Sequence, residues 1–164
     1  MNDLSPEAHL GVFLRATRIV GARLAQAFAE ADAVTPFEAS VLVSLSRTPD
    51  RRMRIDELSQ DLMMDKSTVS RLVDRLERAG YVERLASSHD RRAVYAAMTS
   101  EGRNALRHVT RVFRSVFDRI FLGDLDAAEL EQMTRLLNRL FLANAKRSDP
   151  SFGSTAVSPQ ESTA

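Results

Sequence analysis

The sequence contains no cysteine and no tryptophan, and lysine occurs only as Lys66 and Lys146. Without cysteine there can be no disulfide, no thiolate redox sensor and no cysteine-ligated zinc. No stretch approaches the roughly 18 consecutive apolar residues of a membrane span. Residues 1–10 show neither the basic start nor the apolar middle of an export signal. A cytoplasmic protein with no membrane partner is therefore expected. An excess of one charge is also missing: 23 basic residues stand against 22 acidic ones, for a net charge of +1. Any polyanion-binding surface must be made by local placement of cations and not by their sum.

What is present is 44% hydrophobic over 164 residues, enough for one compact domain with a short extension. Residues 6–31 carry Phe13, Ala16, Ile19, Val20, Leu24, Ala27 and Phe28 at helical spacings of three and four. Thr35-Pro36-Phe37-Glu38 can cap and start a second helix, with Glu38 closing a capping box onto Thr35 and Phe37, Val41, Leu42 and Leu45 as its buried stripe. A basic connection, Arg51-Arg52-Met53-Arg54, precedes a short third helix whose Ile55, Leu58 and Leu62 face inward. Asp65 then caps a fourth helix that runs to Ala79 and is stopped by Gly80. Residues 81–85 and 93–98 read as two strands of a hairpin, Val94, Ala96 and Met98 alternating with Tyr95 and Ala97. Thr99 or Ser100 caps a long fifth helix that Gly123 breaks, and Asp124 or Asp126 opens a sixth with Leu130, Met133, Leu136, Leu137, Leu140 and Phe141. From Arg147 onward Ser, Thr, Pro and Gly dominate, and residues 147–164 are expected to be a disordered tail.

The fold class that follows is mainly α with a small β-hairpin wing, α+β, in winged helix-turn-helix order. The fourth helix is two-sided. Val69, Leu72, Val73 and Leu76 line one face, while Lys66, Ser67, Thr68, Ser70, Arg71, Arg75 and Arg78 occupy the other. In a helix-turn-helix the second short helix enters the major groove, where small hydroxyls permit close approach and a forked guanidinium can meet guanine bidentately. Arg71 suits that contact, and Arg75, one turn on, suits phosphate. The hairpin loop adds Arg91 and Arg92, placed for a narrow, electronegative minor groove. Double-stranded DNA is the expected partner.

These motifs resemble the MarR family of bacterial regulators. The resemblance lies in Thr35-Pro36, in Asp65-Lys66-Ser67-Thr68-Val69-Ser70-Arg71, in residues 74–84 running into the wing, and in Asp90-Arg91-Arg92-Ala93-Val94 followed by Thr99-Ser100-Glu101-Gly102. It covers about residues 7–145, with a DNA-binding lobe at about 35–99 and dimerisation helices at about 6–31, 100–122 and 126–145. It implies a homodimer in which the first, fifth and sixth helices interlock, and a wing arginine, Arg92, steadied by Asp90 or Asp74. It further implies a repressor on a pseudo-palindromic operator, answering to a small phenolic or aromatic effector where one exists. One departure is Met63, where the family often has glycine. If the turn needs positive φ there, Met63 is strained by about 1 kcal/mol.

Dimerisation also follows from the residues themselves. Phe113, Phe117, Phe121, Leu137 and Phe141 exceed what a small winged lobe can bury, and left bare they would aggregate. Phe13, Arg15 and Arg18 are candidates for an effector cleft, set against the plainer reading of core and surface. His9, His89 and His108 lack the spacing of a metal site, and Met63-Met64 reads as turn packing. There is no glycine-rich phosphate loop, nucleophile elbow or carboxylate pair, so neither an enzyme nor a cofactor or metal is expected. A winged domain turned to protein partners would have neutral residues at 71, 75 and 92, and all three are Arg here.

Overall fold

The computed structural model describes residues 5–86 and 94–145. The order is α1 (Pro6–Glu30), α2 (Pro36–Ser46), β1 (Arg52–Arg54), α3 (Ile55–Asp61), α4 (Lys66–Arg78), β2 (Val82–Ala86), β3 (Val94–Met98), α5 (Ser100–Ile120) and α6 (Ala127–Ala145). The chain divides into two compact units after Asp124.

The first unit corrects the expected two-stranded hairpin. The basic connection at 52–54 is a strand, and the sheet has three antiparallel strands in the order β1-β3-β2. Arg52 sits opposite Ala97 on one side of β3, and Val82 opposite Met98 on the other. The added strand is secured by tertiary contacts: the Met98 N–H donates to Arg51 O at 2.9 Å, and the Arg52 guanidinium lies 5.7 Å from the Tyr95 ring centroid. The expected alternation along β3 fails for the same reason. Ala96, Ala97 and Met98 are all buried, because a central strand is flanked on both edges and Arg52 and Glu83 stand beside Ala97 in register.

Two hydrophobic clusters fill this unit. The first joins α2, α3, α4 and the sheet through Leu42, Leu45, Leu58, Val73, Leu76 and, from the sheet, Val82 and Ala96. The second joins the end of α1 to α5 through Phe28, Ala39, Val109, Val112 and Val116, with Phe113 edge-on to Phe28 at 5.0 Å. Val34 and Leu106 pack against both clusters. The burial of α2 differs from expectation. Phe37 is 62% exposed while Glu38 is buried. Phe37 is the second residue of the helix, ahead of the turns that its neighbours cover.

Three helices end in the same way. Asp32 after α1, Met63 after α3 and Gly80 after α4 have φ of 49°, 50° and 75°. In each case the next N–H reaches back to the third-last residue of the helix: Ala33 to Phe28 O, Met64 to Ser59 O and Tyr81 to Leu76 O, at 2.9–3.0 Å. Met63 therefore does adopt the left-handed conformation that glycine favours.

A clasp fixes α5 to the turn after α4. The Thr99 hydroxyl donates to Gly80 O at 2.7 Å and accepts from Gly102 N–H at 3.0 Å, while Thr99 N–H donates to Tyr81 O at 3.1 Å. So Thr99 is the cap. His108 ties α5 to the end of α1. Its Nε2 donates to Ala31 O at 2.9 Å, so Nδ1 is left to accept from Arg111 at 3.3 Å. The helix α5 ends at Ile120, before Gly123.

The second unit contains α6. Asp126, not Asp124, caps it: Ala128 and Glu129 N–H donate to Asp126 Oδ1 at 2.8 and 2.9 Å, and Glu129 Oε2 accepts from Asp126 N–H. Leu136, Leu137, Leu140, Phe141 and Leu142 are exposed along it.

Candidate nucleic-acid interface

The buried stripe of α4 is the expected one: Val69, Leu72, Val73 and Leu76 are all 3% exposed or less. A helix anchored along that line must turn the opposite side to solvent, and Ser67, Arg71, Asp74 and Arg78 are exposed there.

The N-terminal end is organised by Asp65. Its carboxylate accepts from Thr68 N–H at 2.8 Å, from the Ser67 hydroxyl at 2.5 Å and from the Thr68 hydroxyl at 2.6 Å. These bonds, led by that from Ser67, hold the carboxyl far below its ordinary range. Arg71 folds back toward the same end, donating from Nε to Ser67 O at 3.3 Å and from a terminal nitrogen to Ser67 Oγ at 3.2 Å. Lys66 meets Asp56 of α3 at 2.6 Å, and that bond holds the Asp56 carboxyl low.

Two further ties fix the flanks of the helix. On the α2 side, Arg75 Nε donates to Glu38 Oε1 at 2.5 Å. Burial pushes the Glu38 carboxyl up, but the bonds from Arg75 and from the Thr35 N–H and hydroxyl outweigh it and leave the group below its ordinary value. The expected capping box is present, since Glu38 N–H also donates to Thr35 Oγ1. Arg75, read from sequence as a phosphate contact, is thus partly committed to the interior. On the sheet side, Arg84 of β2 is the residue that sequence reasoning missed. Its side chain is 27% exposed. It donates to Ser70 O at 3.2 Å, Ser70 Oγ at 3.1 Å and Asp74 Oδ1 at 2.5 Å, and lies 3.3 Å from Glu77 Oε2. The Arg84 N–H donates to Glu77 Oε1 at 3.1 Å. Its partners are seven to fourteen positions away, so no local pattern pointed to them. Asp74, expected as a wing support, is here the partner of Arg84.

Beside α4 lies a concavity of about 380 Å³ lined by residues that include Asp56, Lys66, Ser67, Ser70 and Arg84. The arrangement offers the exposed Ser67 hydroxyl, the half-buried Thr68 and Ser70 hydroxyls and the long Arg71 guanidinium on a helix whose pose is set from α2, α3 and β2. The wing residues Asp90, Arg91 and Arg92 lie outside the described residues.

The expected dimerisation residues separate. Phe113 belongs to the edge of the chain's own second cluster. Phe117 and Phe121, with centroids 5.2 Å apart, line an open apolar groove of about 520 Å³ with Val20, Leu24 and Phe113. Leu137 and Phe141 are exposed on α6. Phe13, Arg15 and Arg18 lie exposed along α1. Among the described residues no cluster of His, Asp and Glu could hold a metal, and no helix is long and apolar enough to cross a membrane.

Comparison with known proteins places this geometry. The MarR family model matches residues 34–94. The transcriptional activatory protein BadR of Rhodopseudomonas palustris is 32% identical over 137 residues, covering 80% of this chain and 76% of that protein. The transcriptional repressor MprA of Escherichia coli is 31% identical over 102 residues, covering 60% of this chain and 58% of its own length. Among solved structures, Sco3205, a MarR family transcriptional regulator from Streptomyces coelicolor in complex with DNA, has a TM-score of 0.75 at 25% identity, covering 84% of this chain and 90% of that one.

Proposed function

The chain belongs to the MarR family, and on that premise we propose that it is a sequence-specific, double-stranded-DNA-binding transcriptional regulator and not an enzyme. The observation that carries this reading is α4. Its buried stripe and its fastenings to Glu38, Asp56 and Arg84 turn Ser67 and Arg71 outward, with Thr68 and Ser70 half-buried on either side of them, the requirement for a helix that lies in a major groove. The DNA complex of Sco3205 supports it.

The working form in this proposal is a homodimer. The groove at Phe117 and Phe121 in the first unit and the bare Leu137 and Phe141 in the second are surfaces that a second copy would cover. A twofold axis then places two copies of α4 on half-sites about 34–36 Å apart, one turn of duplex. Arg91 and Arg92 supply the wing contact, with Asp90 beside them. Repression is the proposed mode, as in the name of MprA; activation is the mode in the name of BadR. A small phenolic or aromatic effector, bound where the dimerising helices meet the winged lobe, would set the spacing of the two reading helices.

Selection of bound duplexes from a random pool tests function and spacing together. The expected product is a pseudo-palindrome with half-site centres one turn apart, bound by a species of twice the chain mass in sedimentation. A chain that stays monomeric, or that retains no duplex at low ionic strength, refutes the proposal. A promoter–reporter pair then separates repression from activation.

A further inference from the structure

A serine or threonine hydroxyl can contact either kind of base edge, since it both donates and accepts. At the start of α4 this freedom is removed by the helix cap. The ionised Asp65 carboxylate can only accept, so the protons of Ser67 and Thr68 are directed at it. Toward solvent these two side chains therefore offer lone pairs alone. Ser70 differs in its proton. Its oxygen accepts a hydrogen bond from Arg84, as that of Ser67 does from Arg71, but among the described residues its own proton has no acceptor. Ser67 and Thr68 stand at the start of the helix, and Ser70 one turn on beside β2, lining the same concavity as Ser67.

From this sorting we propose that Ser67 and Thr68 are specificity-determining acceptors for an exocyclic amino group, adenine N6 or cytosine N4, while Ser70 is a donor to a phosphate oxygen. Phosphate is excluded at the first position on two grounds. Its oxygens have no proton to give to those lone pairs, and the site where a helix start would attract an anion is already filled by the Asp65 carboxylate. Arg84 is then a positioning residue, acting on DNA only through Ser70. The proposal rests on the reading of α4 as the DNA-contacting helix and adds which groups on the DNA it distinguishes.

The experiment begins from duplexes selected by the parent chain, and enrichment of none of them would defeat the DNA-binding reading itself, separately from this one. Within an enriched half-site, each adenine is replaced by purine and each cytosine by 2-pyrimidinone, which deletes one amino group at a time. Binding is followed by fluorescence anisotropy. The parent should lose about tenfold at one position per half-site, the scale of a lost base contact. Ser67→Ala/Thr68→Val should be indifferent to that deletion, and Thr68→Ser should regain the sensitivity. Ser70→Ala should keep it in full while binding all sequences several-fold more weakly. The assignment is overturned if the parent is indifferent to amino deletion at every position, or if the hydroxyl-free variant keeps the parent's sensitivity. Helix content by circular dichroism accompanies each variant, and the deletion scan on the parent alone suffices should the double variant not fold.

Discussion

Replacing Gly102 with alanine sets two effects of opposite sign against each other. In an open helix the change would stabilise by about 1 kcal/mol, because alanine is the better helix former. Here a Cβ at position 102 would lie 2.0 Å from Tyr81 O and 2.9 Å from Met98 Cγ. The first contact is far inside van der Waals distance and is made with backbone, which has no side-chain torsion to relieve it. The start of α5 must move outward by on the order of 1 Å, the gap between that contact and an ordinary one. The atoms that must part are those of the clasp: Thr99 N–H from Tyr81 O, and the Thr99 hydroxyl between Gly80 O and Gly102 N–H. Losing two hydrogen bonds and a cap costs about 1 kcal/mol each, to which overpacking adds about 1–3 kcal/mol. After the gain in propensity, a net loss of about 3–5 kcal/mol remains. In urea, with a slope of about 1–3 kcal/mol per molar, the midpoint should fall by about 1 M or more at matched protein concentration. A midpoint unchanged or raised would mean that the clasp does not exist as described.

Met63→Gly should raise stability by about 0.5–1 kcal/mol in thermal melts, because the residue has φ of 50° and is 55% exposed, so little burial is lost; a lower midpoint would refute the strain. Glu38 is held below its ordinary value of 4.5 when folded, so its contribution is complete above pH 4.5 and disappears as pH falls through the folded value. Glu38→Gln should accordingly flatten the acid limb of the stability curve below pH 4.5, and identical limbs would exclude the Arg75 pairing. Arg71→Ala should relax sequence preference at one position, by about 1–3 kcal/mol in competition binding. Arg92→Ala should weaken specific and unspecific duplexes alike and reduce the slope of log affinity against log salt; an unchanged slope would remove Arg92 from the phosphate-facing set.

How much of this was legible in the sequence depends on how far apart the responsible residues are. The α4 stripe, the Thr35–Glu38 box and the Asp65 cap each operate within three or four residues, and all three could be read directly. The strand β1 could not. Three residues, two of them arginine, show no period, and their conformation comes from Ala96 and its neighbours more than forty positions on. The burial of Glu38 could not be read either, because its partner Arg75 is 37 residues away. Arg84 looked like one of many surface cations until its partners on α4 were in view. Gly102 was noticed as part of a motif, but the reason for it, a carbonyl 21 positions earlier in the chain, is a distance that only the fold creates.

The fastenings of α4 bear on how any signal could reach it. Tied to Glu38, Asp56 and Arg84 and packed along its buried stripe, the helix would have to break these bonds to slide or roll over the elements beneath it. A change in what it touches would then be carried by the lobe as one piece, with the start of α5 tied into that lobe by the Thr99 clasp. Such a body would shift Ser67 and Arg71 together and resist retuning of either alone.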